Sequence, residues 1–182
     1  MKNHSRDTEY LAYLKDHPIA TKEEHQMKAL VTYFSASGVT AKLAARLADA
    51  MDAPLYEIKP AVTYTAADLD WRNQQSRSSV EMADKSCRPD LADTDAPVAY
   101  ADVVFVGYPV WWYREPSIID SFLAAYDFSG KKIVLFATSG SSDIGTEASA
   151  RAAEITGAQV LAAKRFPANA SAEELKAWAG QI

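Results

Sequence analysis

The amino-acid sequence predicts an α/β domain, a doubly wound, five-stranded parallel sheet in the order 2-1-3-4-5 with helices on both faces. Three observations predict it. Residues 101–106 and 132–137 are nearly continuous in Val, Ile, Leu and Phe, as expected of parallel strands covered on both sides. Shorter apolar runs alternate with segments of helical spacing, the mark of repeated strand–helix units. Finally, 182 residues with 48% apolar composition suffice for one domain with a sizeable core. For five strands in such an alternation, 2-1-3-4-5 is the expected order.

Residues 1–26 are polar and contain no clear strand. Met27-Lys28-Ala29-Leu30-Val31 reads as a natural start, so 1–26 is expected to be a peripheral extension or a start-site artefact, and 27–182 the domain. An apolar run at 29–34 predicts the first strand, followed by a helix with Leu43, Ala44, Leu47 and Met51 on one face. A short second strand is expected at 55–58. The long polar stretch after it predicts a helix over about 66–84, then an irregular excursion through Pro89 and Pro97. Strands at 101–106 and 132–137 flank a helix that Pro116 opens and that carries Ile119, Phe122, Leu123 and Tyr126 at helical spacing. Gln159–Phe166 is the last strand. Ser171 and Glu174 then form a capping box for a final helix burying Leu175, Trp178, Ala179 and Ile182.

Composition excludes several function classes. A net charge of −5 offers no basic stripe to nucleic acid. One cysteine, Cys87 in a polar stretch, allows neither an internal disulfide nor a thiolate metal cluster. No apolar stretch approaches membrane-span length, and the N-terminus lacks a signal-peptide core, so a cytoplasmic protein is expected. His4, His17 and His25 all precede Met27. A histidine-based triad or metal site in the domain is therefore hard to build, and any redox chemistry must be carried by a bound organic cofactor.

The three least ordinary loops follow strands 1, 3 and 4, which the predicted order makes neighbours, and ligands of such sheets bind outside those strand ends. The first, Ser35-Ala36-Ser37-Gly38-Val39-Thr40, runs from a strand into a helix. Helix N-termini present unpaired N–H groups and a positive dipole end to anions, above all phosphate. Ser35, Ser37 and Thr40 add hydroxyl donors, and no Lys or Arg is present, which suits a phosphate monoester that stays bound. The plainer alternative is a turn whose hydroxyls only cap the helix. A Gly-x-Gly-x-x-Gly signature is absent, and Thr146 stands where a triphosphate loop running Gly140 to Gly145 would need Lys.

The second loop contains Pro109, Val110, Trp111, Trp112 and Tyr113, followed by Arg114-Glu115-Pro116. Its aromatics either fill core or stack on a flat conjugated ring. The third, Thr138-Ser139-Gly140-Ser141-Ser142-Asp143, offers donors for the polar edge of such a ring. Together the three describe a flavin mononucleotide (FMN) site.

These motifs resemble those of the flavodoxin family, in the variety with Trp-Trp in the middle loop and Thr-Ser-Gly-Ser-Ser in the third. The resemblance runs from about Met27 to the C-terminus and takes in Tyr64, Asp68-Leu69 and Ser76-Arg77-Ser78. It implies tight, non-covalent FMN binding by loops 35–40, 109–113 and 138–142. It also implies electron passage between a reductase and acceptor proteins, by a monomer or weak dimer. Two departures stand out. No glycine lies between Gly107 and Gly130, where many relatives carry one whose peptide flips toward the reduced ring. Asp143 replaces a frequent glycine, and is expected to be solvated or to cap the following helix, or else to lower the flavin potential by its charge. Arg114 could meet a nicotinamide nucleotide's phosphate, but a surface position balanced by Glu115 is expected. An FMN-dependent NAD(P)H:quinone-type oxidoreductase and a non-redox binding module of the same fold remain the alternatives.

Overall fold

The computed structural model describes residues 28–182; the expected extension at 1–26 lies outside the described residues. Five parallel strands form one sheet in the order β2-β1-β3-β4-β5, as expected: β1 Ala29–Tyr33, β2 Leu55–Glu57, β3 Val103–Pro109, β4 Lys132–Thr138 and β5 Gln159–Phe166. A bulge between Ile133 and Val134 lets the eight residues of β5 run beside the seven of β4.

The described residues form five α-helices, α1 Val39–Met51, α2 Arg77–Ala83, α3 Ser117–Ala125, α4 Ala148–Thr156 and α5 Ala172–Ala179. One core packs Leu43, Ala44 and Leu47 of α1 and Leu175 and Trp178 of α5 against Val31, Phe105 and Phe136. The other packs Ile118, Ile119 and Phe122 of α3 and Ala148 and Ala152 of α4 against Val104, Val106 and Leu135. Ser171 caps α5 by accepting the Glu174 N–H at 3.1 Å, while Ile182 falls beyond the helix end.

The helix expected over about 66–84 is cut to Arg77–Ala83. Local side-chain bonds compete with it. The Asp68 carboxylate accepts the N–H and hydroxyl of Thr65, Asp70 accepts the Arg72 N–H, and Asn73 accepts the Gln75 N–H. Only at Ser76, which accepts the Ser79 N–H, does a capped helix begin. Gly107 sits opposite Phe136 in the β3–β4 register, and a Cβ there would lie 2.2 Å from the Phe136 ring. The glycine makes room for that buried aromatic.

Candidate functional site

At the C-terminal ends of β1, β3 and β4, the three loops converge on a cleft of about 830 Å3. Its lining includes Ala36 and Ser37 from the first loop, Pro109, Val110, Trp111, Trp112 and Tyr113 from the second, and Ser139, Gly140, Ser141 and Ser142 from the third. Eleven of the sixteen residues expected at the site thus line one cavity.

The remaining five shape the turns beneath it. Gly38 adopts φ +84° at the N-cap of α1 and donates its N–H to Ser35 Oγ at 3.0 Å. Nothing lies within 4 Å of a Cβ built on Gly38, so the turn is open there. Val39 begins α1 and is exposed. Thr40 and Thr138 are buried, and their hydroxyls bond each other at 2.8 Å, tying the start of α1 to the end of β4. In the third loop the Ser139 hydroxyl donates to the Ser142 carbonyl, which curls the loop over itself.

Asp143 does not cap the following helix. It accepts the adjacent Ile144 N–H at 2.7 Å, whereas α4 begins only at Ala148, with Glu147 at its N-cap.

The aromatic wall is a tight hairpin. Trp111 and Arg114 exchange backbone hydrogen bonds of 2.9 and 3.0 Å, leaving Trp112 and Tyr113 as a two-residue turn with φ +44° and +65°. Such turns demand positive φ at both central positions and normally use Asn-Gly. Trp111 packs edge-on against Phe34 and Tyr64, with centroids 5.7 and 5.5 Å away. Trp112 and Tyr113 stand 44% and 76% exposed at the mouth. Gly145, φ +95°, lies directly beneath the turn, where a Cβ would come within 2.4 Å of the Tyr113 carbonyl oxygen.

Behind the wall, Tyr64 donates to Glu81 Oε2 at 2.5 Å, and burial, reinforced by that bond, pushes its phenol well above its ordinary range. Arg77 holds the other Glu81 oxygen at 2.6 Å and covers the Tyr64 ring at 4.0 Å.

Arg114 is no surface residue. Its side chain is 13% exposed and its guanidinium lies 3.3 Å from Glu115 and 3.6 Å from Asp120, carboxylates only 5% and 0% exposed. Arg151 of α4 bridges the same pair, at 3.1 Å from Glu115 and 2.6 Å from Asp120, and Arg88 approaches Asp120 at 3.6 Å. Burial pushes the Glu115 carboxyl up, Asp120 adds to the rise, and Arg114 and Arg151 oppose it.

Sequence reasoning missed Trp71 as a site residue. It lines the cleft together with Leu69 and Ser78, is 67% exposed, and carries the Arg72 guanidinium 5.2 Å from its ring centre. Its only signal was a large aromatic stranded in a polar run. Among the described residues no cluster of His, Cys, Asp and Glu could hold a metal, and no helix is long and apolar enough to cross a membrane.

The chain is similar in structure to a candidate flavoprotein of Bacteroides uniformis, with 43% identity and a TM-score of 0.79 over 85% of this chain and 98% of that one. It is similar also to a candidate flavoprotein of Bacteroides eggerthii, with 40% identity and a TM-score of 0.79 over 85% and 97%. A flavoprotein from Lactobacillus acidophilus in complex with FMN shares the fold at 20% identity and a TM-score of 0.62, over 84% of this chain and 99% of that one. No curated protein matches the chain significantly. The sequence profile of the Flavodoxin family matches residues 28–182, all of the described residues, and the chain belongs to the flavodoxin family.

Proposed function

We propose that this protein binds FMN and passes electrons between a reductase and acceptor proteins in the cytoplasm. The observation that carries the reading is the meeting, in one cleft, of a donor-rich turn at a helix N-terminus, an aromatic wall and a second donor-rich loop. Each part fits a piece of the cofactor. The 13-residue helix α1 begins within the 35–40 loop, where Ser37 lines the cleft and Ser35, whose oxygen accepts the Gly38 N–H, keeps its hydroxyl proton as a donor for a phosphate. Neutral donors alone suit a phosphate that is held and not transferred. Trp111, Trp112 and Tyr113 offer faces to a conjugated ring, and the 139–142 loop offers hydroxyl and N–H donors to its polar edge. The similarity to two candidate flavoproteins at 43% and 40% identity supports the same reading.

When bound, FMN supplies the electron chemistry. The chain binds and orients it, and shields one side from water. The Thr40–Thr138 bond fixes the phosphate turn to β4. The Phe34–Tyr64–Trp111 cluster backs the wall, which keeps Trp111 from collapsing into the cleft. The net charge of −5 gives a mild bias toward basic redox partners.

One observation favours the second reading, an FMN-dependent NAD(P)H:quinone-type oxidoreductase. Trp71, Trp112 and Tyr113 leave much aromatic surface exposed at the mouth, where a second planar molecule could lie. Arg114 does not serve that reading, because Glu115, Asp120 and Ser117 already engage its guanidinium.

The test is a visible absorption spectrum of the purified protein followed through stepwise anaerobic reduction. Flavin bands, release of FMN on denaturation and reduction in two resolved one-electron steps are expected. A single two-electron step with rapid NADPH oxidation in the presence of a quinone would favour the reductase. A protein that takes up no added FMN would refute both.

A further inference from the structure

The hairpin that walls the cleft is held in a conformation that its own residues disfavour. Left-handed backbone is disfavoured for L-residues, and here two bulky aromatics adopt it in succession. Such strain persists only where the surroundings over-determine it. Two hairpin hydrogen bonds and the bed provided by Gly145 account for part of the restraint. The rest leads into the buried charged cluster. Arg114 closes the hairpin through its backbone and sends its guanidinium inward to Glu115, Asp120 and the Ser117 hydroxyl. Arg151 clamps both carboxylates from α4, and its Nη2 also donates to the Lys85 carbonyl at 2.6 Å. Arg88 donates to the Lys85 and Cys87 carbonyls. The cluster therefore joins the hairpin to α3, α4 and the 84–88 turn.

Stability alone is a poor reason for this arrangement. Well-packed apolar residues commonly match or exceed a buried ion cluster in stability. The cluster is also imperfect as a stabilising device, because among the described residues neither Asp120 Oδ1 nor the hydroxyl of Tyr108, which feels the Asp120 charge, has a hydrogen-bond partner though both are buried. What the charges supply, and apolar side chains would not, is a fixed direction for Arg114.

We propose that Arg114, Glu115, Asp120 and Arg151, none of which lines the cleft, act together as positioning residues that hold the strained Trp112-Tyr113 turn in register with the cleft and thereby set its affinity for a planar ring. The inference rests on the reading that the cleft takes FMN. It predicts a defect with a particular pattern. Loosening the cluster moves the wall and leaves the phosphate turn on α1 untouched, so ring binding suffers and phosphate binding does not.

The experiment compares Arg114→Gln and the milder Arg114→Lys with wild type, titrating FMN and riboflavin at 10 °C by quenching of flavin fluorescence. Far-UV circular dichroism establishes that each variant is folded, and Arg114→Lys carries the comparison if Arg114→Gln does not fold. The expected result is a loss of about tenfold for both ligands, the scale of one stacked aromatic contact, with the FMN-to-riboflavin affinity ratio unchanged. Loss for FMN alone would show that the cluster acts as a distant charge on the phosphate, and would overturn the proposal. Folded variants that bind both ligands as wild type does would reduce the cluster to a structural role and overturn it equally. Wild-type protein that takes up no flavin would instead refute the functional reading.

Discussion

Replacing Gly145 with alanine isolates how the third loop seats the aromatic wall. A Cβ at this position would stand 2.4 Å from the Tyr113 carbonyl oxygen, where ordinary contact begins at 3.4 Å. Hairpin and loop must therefore separate by about 1 Å, a gap that forfeits roughly a quarter to a half of a dispersion contact. If the wall contributes about 3 kcal/mol to ring binding, the value of one fully buried aromatic, the loss is roughly 0.7–1.5 kcal/mol, or about threefold to tenfold in FMN affinity. Backbone strain is a separate cost. Gly145 has φ +95°, but Gly157 has φ +69° with nothing within 4 Å of its Cβ, and so carries strain without the collision. Urea unfolding of the ligand-free proteins should show Gly157→Ala losing about 1–2 kcal/mol, and Gly145→Ala at least as much. Fluorescence titration with FMN should show a defect in Gly145→Ala only. If both variants bind FMN as wild type does, or if Gly157→Ala is equally impaired, the contact between Gly145 and Tyr113 does not seat the wall.

Gly107→Ala drives a Cβ to within 2.2 Å of the fully buried Phe136 ring and should cost about 1–3 kcal/mol or more through overpacking; thermal unfolding measures it, and Phe136→Leu in the same chain should recover part of the loss. Ser171→Ala removes the bond that caps α5 and should cost about 1 kcal/mol, seen as a fall of about 2–4 °C in Tm for a chain this size. Hydrogen bonds from the Thr65 N–H, then its hydroxyl, hold the Asp68 carboxyl below its ordinary range. A lowered folded-state pKa contributes stability above the unfolded value near 3.9, lost as pH falls through the folded value. Asp68→Asn should therefore be less stable than wild type at pH 7, and urea unfolding should show the gap closing as the pH drops below about 4; a gap that persists at pH 2 would assign the effect to something other than the charge.

The centre of the sheet was legible in the sequence because β3 and β4 are buried on both faces. Val103–Pro109 and Lys132–Thr138 are almost entirely inaccessible, and burial of that kind writes itself as an unbroken apolar run. The cleft was legible for a related reason: strand order fixes which loops are neighbours, and three loops of unusual composition fell on neighbouring strands. What failed was decided at shorter or longer range than a periodic pattern reports. The segment from Ala66 to Ser76 has helical composition, yet Asp68, Asp70 and Asn73 each turn the backbone locally with a side-chain bond. Helix α4 buries only Ala148 and Ala152, a stripe too small to stand out. Arg114 and Glu115 looked like a solvated pair because they are adjacent and opposite in charge. Their burial depends on Asp120, Arg151 and Arg88, which come from three other parts of the chain.

The burial of Arg114 and Glu115 bears on how the site works. A turn made of Asn-Gly would hold its shape by local preference, but would present no ring to a ligand. With Trp112 and Tyr113 in its place, the chain gains aromatic surface at the cleft mouth and gives up the local preference that would keep the turn there. Long-range restraint must make up the difference, and Gly145 below and Arg114 behind are placed to provide it. The glycine and the buried charges then answer one requirement: each keeps a pair of exposed aromatics where their own backbone preferences would not leave them. The cleft's chemistry is carried by residues that touch its space, but its shape is carried by residues that do not.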